Sequence, residues 1–210
     1  MTITTPAPAP TVYVVDDDAS IRESLSSLIR SAGMAVEVFA SPLAFLALDR
    51  LADYACLVLD VRMPGLDGLA LQEKLGESGR EIPIIFVTGH GDVPLAVRAM
   101  KAGAIDFLNK PFNDTDLLQA IAHALSRVSA TSHERMELAN LRVRFAALTP
   151  REKQIMVEVA QGKQNKLIAY ELAVTESTVK VHRHNVMSKM HLRSVAELAL
   201  AIQQLKKTQV

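Results

Sequence analysis

The chain reads as an α/β domain with a doubly wound, five-stranded parallel sheet, followed by an all-α four-helix domain. Three observations predict this. Short apolar runs rich in β-branched residues alternate five times with helical periods in the first half. From Leu148 onward only helical periods occur. Charge is also divided: residues 1–125 hold 9 Lys+Arg against 16 Asp+Glu, a net of −7, and residues 126–210 hold 14 against 7, a net of +7. The overall charge of zero therefore hides an acidic half and a basic half, and the basic half suits a polyanion.

The elements follow in order. A first strand is predicted at 12–16 (VYVVD), then a helix at 19–31 with Ile21, Leu25, Leu28 and Ile29 at helical spacing. A second strand at 35–39 precedes a helix at 42–51, with Leu43, Phe45, Leu46 and Leu48. A third strand at 56–60 (CLVLD) precedes a helix at 68–75, and a fourth at 83–88 (PIIFVT) precedes a helix at 93–102. The fifth pair is 105–108 and 114–126. Five such alternations imply parallel strands with helices on both faces. Residues 127–147 are polar, but Met136, Leu138, Leu141 and Phe145 are spaced for a helix, so a helical linker is expected.

Four helices then follow, at 150–161, 165–172, 176–190 and 194–206. Thr149 with Glu152 three residues on is a capping box. Gly162 stands where a left-handed residue ends a helix, and Thr175 is an N-cap candidate. The expected domain limits are a disordered Pro/Ala arm at 1–10, the α/β domain at 11–126, the linker at 127–147 and the helical domain at 148–210.

Several classes are excluded. No apolar run approaches the roughly 20 residues that span a bilayer. The opening MTITTPAPAPT has neither a basic n-region nor an apolar h-region. The single cysteine, Cys56, precludes an intramolecular disulfide, and its apolar run predicts a buried thiol. These features point to the cytoplasm and to no membrane partner.

A doubly wound sheet binds ligands beyond the carboxyl ends of its strands. Strand 1 ends there at Asp16-Asp17-Asp18, strand 3 at Asp60 and strand 4 at Thr88, and strand 5 runs into Lys110-Pro111. Clustered carboxylates repel unless a cation sits among them. An all-oxygen set without His or Cys favours Mg²⁺. A carboxylate can attack phosphorus, and Mg²⁺, Lys110 and the Thr88 hydroxyl can neutralise the transferring oxygens. Asp60 is the best nucleophile candidate, because Met63-Pro64-Gly65 turns the chain away and leaves it at the rim. Asp18, followed by Ala19 and Ser20, is equally well explained as a helix cap. An aspartyl phosphatase would want a carboxylate two residues after the nucleophile, and this chain has Arg62 there.

In the basic half, 167–172, the turn Ala173-Val174-Thr175 and 176–190 have helix-turn-helix spacing. Projected at 100° per residue, Val179, Val186 and Met190 form a core face. Ser177, Val181, His184 and Ser188 lie opposite, flanked by Lys180, Thr178 and Asn185, a small polar and basic face suited to the major groove. Arg183 projects toward the core side, where its stem packs and its head reaches a phosphate. His182 and His184 do not share a helix face, which argues against a metal site.

The strings VVDDD at 14–18, LVLDVRMPGLDG at 57–68, VTGHGD at 87–92 and KAGAIDFLNKPF at 101–112 resemble the receiver domain of bacterial two-component response regulators, a flavodoxin-like fold. LTPREKQIMVEVAQGKQNKLIAYELAVTESTVKVHRHNVMSKM at 148–190 resembles the LuxR-type helix-turn-helix domain. Together they resemble the NarL/FixJ class, with FixJ and StyR-like regulators nearest. The resemblance implies that Asp60 accepts a phosphoryl group from the phosphohistidine of a sensor histidine kinase. It implies that Asp17, Asp60 and the Arg62 carbonyl hold Mg²⁺, with Asp16 assisting through water. Lys110 would pair with the phosphoryl group, with a cis bond to Pro111, and Thr88 and Phe107 would form a switch pair. Many receivers carry Tyr where this chain has Phe107. Lys180, Val181 and His184 would meet base edges, and Asn165, Lys166, Thr178 and Arg183 would meet phosphates of double-stranded promoter DNA. His184 stands where relatives often carry Lys, which leaves the base preference at this position open. The last helix would pair two copies on DNA, and RNA polymerase would be a further partner. The stretch 93–108 is the expected dimer face after phosphorylation.

Overall fold

Five strands form one parallel sheet in the order β2-β1-β3-β4-β5, built from β1 (Thr11–Val15), β2 (Ala35–Phe39), β3 (Ala55–Asp60), β4 (Ile84–Thr88) and β5 (Asp106–Asn109). The computed structural model describes residues 9–89 and 93–207. Residues 1–8 of the predicted arm and 90–92 of the VTGHGD string lie outside the described residues. The chain divides into two compact units, Met1–Thr131 and Ser132–Val210.

In the first unit the strands alternate with α1 (Ala19–Ser31), α2 (Pro42–Leu46), α3 (Gly68–Glu77), α4 (Val93–Lys101) and the start of α5 (Asp114–Ala146). Every residue of β3 is buried. Its side chains alternate between two cores, as a sheet covered on both faces requires. Leu57 and Leu59 pack with Tyr13, Val15, Phe86, Phe45 and Leu71. Cys56 and Val58 pack with Val12, Val14, Ile85, Leu25, Ile29, Leu117 and Ile121. Burial pushes the Cys56 thiol up to about 12, which makes it an inert core group.

Two helices differ from the expectation. α2 ends at Leu46 rather than at 51. Leu48 and Leu51 still pack on the first core, but from the irregular segment after α2, so their apolar spacing is satisfied without a helix. α5 does not stop at 126 but runs on to Ala146. No Gly or Pro interrupts that stretch, and its Ala, Leu, Arg and Glu residues favour continuation.

The second unit holds the end of α5 with α6 (Pro150–Ala160), α7 (Asn165–Glu171), α8 (Glu176–Met190) and α9 (Val195–Lys207). Leu141, Ile155, Met156, Ile168, Val179, Val186, Met190 and Leu198 form its core. Thr149 and Glu152 complete the capping box, and Thr175 accepts from the Thr178 N–H as the α8 N-cap. Gly162 has φ +78°, the left-handed conformation that ends α6.

Candidate functional site

Parallel strands deliver their carboxyl ends to one edge of the sheet. Val15 is level with Leu59, which sets Asp16 beside Asp60, and Asp60 is level with Val87. Gly65, at φ +82°, makes the turn that takes the chain away from Asp60. Carboxylate oxygens of Asp16, Asp17 and Asp60 lie within 4.8 Å of one another. The Lys110 ammonium donates to Asp16 Oδ2 at 2.7 Å and sits 3.7 Å from Asp60 Oδ1. The Lys110-Pro111 bond is cis.

Asp16 and Asp60 are buried, and Asp17 is exposed. Burial pushes the Asp60 carboxyl above the usual carboxylate range. Lys110 pulls it back, Asp16 adds to the rise, the Val61 N–H lowers it, and Asp17 raises it. Three carboxylates gathered within 4.8 Å of one another could hold a metal ion. Thr88, buried at the end of β4, lies across from Asn109 at the end of β5. Phe107 is half-buried on β5, with its ring 6.2 Å from that of Phe86. Arg62 lies two residues past β3 with its side chain exposed. Asp18 does not join the cluster. Its carboxylate caps α1, accepting from the N–H groups of Ser20 at 2.8 Å and Ile21 at 3.3 Å.

Two supporting residues were not legible as such. Arg22 donates to the Asp16 carbonyl at 2.7 Å from the first turns of α1. Gly68 opens α3 directly under β3, where a Cβ would lie 2.3 Å from the Asp60 carbonyl oxygen. In the sequence Gly68 stood only as the last residue of LVLDVRMPGLDG and the first of the helix predicted at 68–75; Asp67 before it caps α3 by accepting from the Ala70 N–H.

In the second unit, Val179, Val186 and Met190 face the core. Lys180, Val181 and His184 are exposed on α8, and Val181 keeps 59% of its surface. Lys166 is exposed on α7. Asn165 and Arg183 meet each other: the guanidinium donates to Asn165 Oδ1 at 3.2 Å, joining α7 to α8. Thr178 is half-buried, and its hydroxyl lies 2.8 Å from that of Thr175 within the cap of α8.

An acidic pocket at the carboxyl edge of a five-stranded parallel sheet, in a chain that also carries a helix-turn-helix, defines a receiver joined to a DNA-binding module. Residues 12–122 match the response regulator receiver domain family, and residues 146–202 match the bacterial regulatory proteins of the luxR family. The chain belongs to the response regulators of the NarL/FixJ class, transcription regulators with a receiver and a LuxR-type helix-turn-helix domain. It is 48% identical to response regulator protein TmoT of Ectopseudomonas mendocina, over 93% of this chain and 89% of that one. It is 46% identical to transcriptional regulatory protein FixJ of Bradyrhizobium diazoefficiens, over 89% of this chain and 91% of that one. The solved structure of response regulator StyR superposes with a TM-score of 0.80 at 48% identity, covering 93% of this chain and 99% of that one. Among the described residues no helix is long and apolar enough to cross a membrane.

Proposed function

We propose that this chain is a transcription factor switched by phosphorylation of Asp60. The observation that carries the reading is the convergence of Asp16, Asp17 and Asp60 within 4.8 Å, with Lys110 bonded to Asp16 and close to Asp60. An Asp60 oxygen attacks the phosphorus of a sensor kinase's phosphohistidine. The P–O bond forms as the P–N bond breaks, and the departing imidazole keeps the electron pair and takes up a proton. Asp17, Asp60 and the Arg62 carbonyl would hold Mg²⁺, with Asp16 acting through water. Bound there, Mg²⁺ supplies positive charge for the phosphoryl oxygens. Lys110 neutralises a further oxygen, a role its 2.7 Å bond to Asp16 supports. Thr88 turns its hydroxyl to the new phosphoryl group, and Phe107 follows toward the space it leaves.

Output runs through α8, whose Lys180, Val181 and His184 reach base edges in promoter DNA. Lys166, Thr178 and the Asn165–Arg183 pair address phosphates. Val93, Val97 and Met100 form an exposed apolar stripe on α4 and support 93–108 as the dimer face of the phosphorylated form. RNA polymerase is the partner at the promoter, and the protein works in the cytoplasm, where kinase output and DNA meet. The domain limits for this division of labour are 11–126, 127–147 and 148–210. Turnover is limited to slow autodephosphorylation, because Arg62 offers no acid–base carboxylate. The test is an Asp60→Asn variant assayed with acetyl phosphate and Mg²⁺. Loss of phosphoryl incorporation and of phosphodonor-stimulated DNA binding is expected. Full stimulation in the variant removes Asp60 from the mechanism. Steady hydrolysis of p-nitrophenyl phosphate over many turnovers would make the chain an enzyme instead.

A further inference from the structure

Two adjacent residues of α6 hold the helix-turn-helix at its turn and at the far end of α8. Arg151 Nη2 donates to the Leu172 carbonyl, at the turn that follows α7. Glu152, buried in the first turn of α6, accepts from Lys189 Nζ at 2.9 Å on Oε1 and 2.8 Å on Oε2. Lys189 is the penultimate residue of α8. The same carboxylate accepts from the Thr149 N–H at 2.8 Å, which ties it to the start of α6. Lys189 and then the Thr149 N–H hold the Glu152 carboxyl below the usual carboxylate range.

We propose that Arg151 and Glu152 form a two-point clamp that sets the tilt of α8, and that both are positioning residues for base reading. The inference rests on the reading of α8 as the helix that enters the major groove. Glu152 is buried, but Lys189 keeps 40% of its side chain exposed, and an ion pair open to solvent on one side adds little stability. Its directional bonds are suited to fixing geometry. Lys189 lies nine residues beyond Lys180 and five beyond His184, about 13 and 7 Å along the axis. A shift at the clamped end therefore swings the reading face. Base-edge hydrogen bonds fail with small displacements, whereas phosphate attraction tolerates them. The clamp acts on discrimination between sequences and leaves general affinity alone.

The test uses the full chain with acetyl phosphate and Mg²⁺, and two probes: a duplex selected from a random library by the wild-type protein, and poly(dI-dC). The double variant Glu152→Gln/Lys189→Met preserves net charge, keeps an acceptor for the Thr149 N–H and leaves no lone buried charge. Arg151→Lys is the second variant; it keeps the charge but loses the Nη2 donor that reaches the Leu172 carbonyl. Each is expected to lose about ten-fold in affinity for the selected duplex with poly(dI-dC) binding unchanged. Wild-type affinity for the selected duplex overturns the clamp. An equal loss on both probes also overturns it, because the contacts then govern general affinity and not discrimination. Lys180→Ala and His184→Ala separate the two claims. If both keep full selected-duplex affinity, the reading of α8 fails. If they lose it and the clamp variants do not, only the clamp fails.

Discussion

Replacing Gly68 by alanine puts a methyl group where the Asp60 carbonyl already sits. The added Cβ would lie 2.3 Å from that oxygen, 3.1 Å from Phe86 Cε1 and 3.1 Å from Val61 Cα. Ordinary contact begins near 3.4 Å, so about 1 Å of overlap must be relieved against backbone that cannot rotate away. Overpacking of this kind costs about 1–3 kcal/mol. The Gly68 N–H also donates to the Val61 carbonyl at 2.9 Å, and moving α3 away strains that bond. Losing it adds about 1 kcal/mol. The total of about 2–4 kcal/mol lowers the first unit's melting temperature by about 10 °C. With Asp60 as the proposed nucleophile, a displacement of about 1 Å there costs on the order of 100-fold in rate. Phosphate-affinity gels with acetyl phosphate and Mg²⁺ measure the second effect, and calorimetry of the full chain measures the first. Gly76, in the same helix, has nothing within 4 Å of its Cβ position. Gly76→Ala should therefore stabilise, by about 0.5–1 kcal/mol. A Gly68→Ala protein that melts and phosphorylates like wild type would refute the steric reasoning.

Other outcomes follow from the same geometry. The folded Asp60 carboxyl lies above its unfolded value, so the native state holds that proton to higher pH. The group's contribution to stability falls as pH rises from the unfolded carboxylate range through the folded value, and stays low at neutral pH. In EDTA, Asp60→Asn should melt higher than wild type at pH 7 and lose that part of the pH dependence. Equal midpoints would contradict the assignment. Mg²⁺ at 100 times its dissociation constant should stabilise the wild-type first unit by about 2.7 kcal/mol, and Asp17→Asn should abolish the shift seen in calorimetry. Leu141 keeps only 7% of its surface in the second core. Leu141→Ala should cost that unit about 2–4 kcal/mol in urea titration, and a neutral result would detach the end of α5 from this core.

Much was legible because the relevant patterns are local. The alternation of β-branched runs with helical periods dictates parallel strands, and parallel strands carry Asp16, Asp60, Thr88 and Lys110 to one edge. Thr149 and Glu152 announce a helix start from their spacing alone. The acidic site was thus readable from four short strings, although Asp18 needed coordinates to be assigned to the cap of α1.

What the sequence by itself determined was the class of fold, the strand-end chemistry and the apolar face of each helix. Tertiary structure alone decided which faces meet. Periodicity continues past Leu46, yet the packing of Leu48 and Leu51 onto the first core ends α2 there. Helix propensity predicts a helical stretch after 126, but not that Leu141 enters the second core. The Glu152–Lys189 bond spans 37 positions, and the Arg183–Asn165 bond spans 18. The cause is physical. Periodicity encodes where a side chain points relative to its own axis, and only the closed chain determines what stands opposite it.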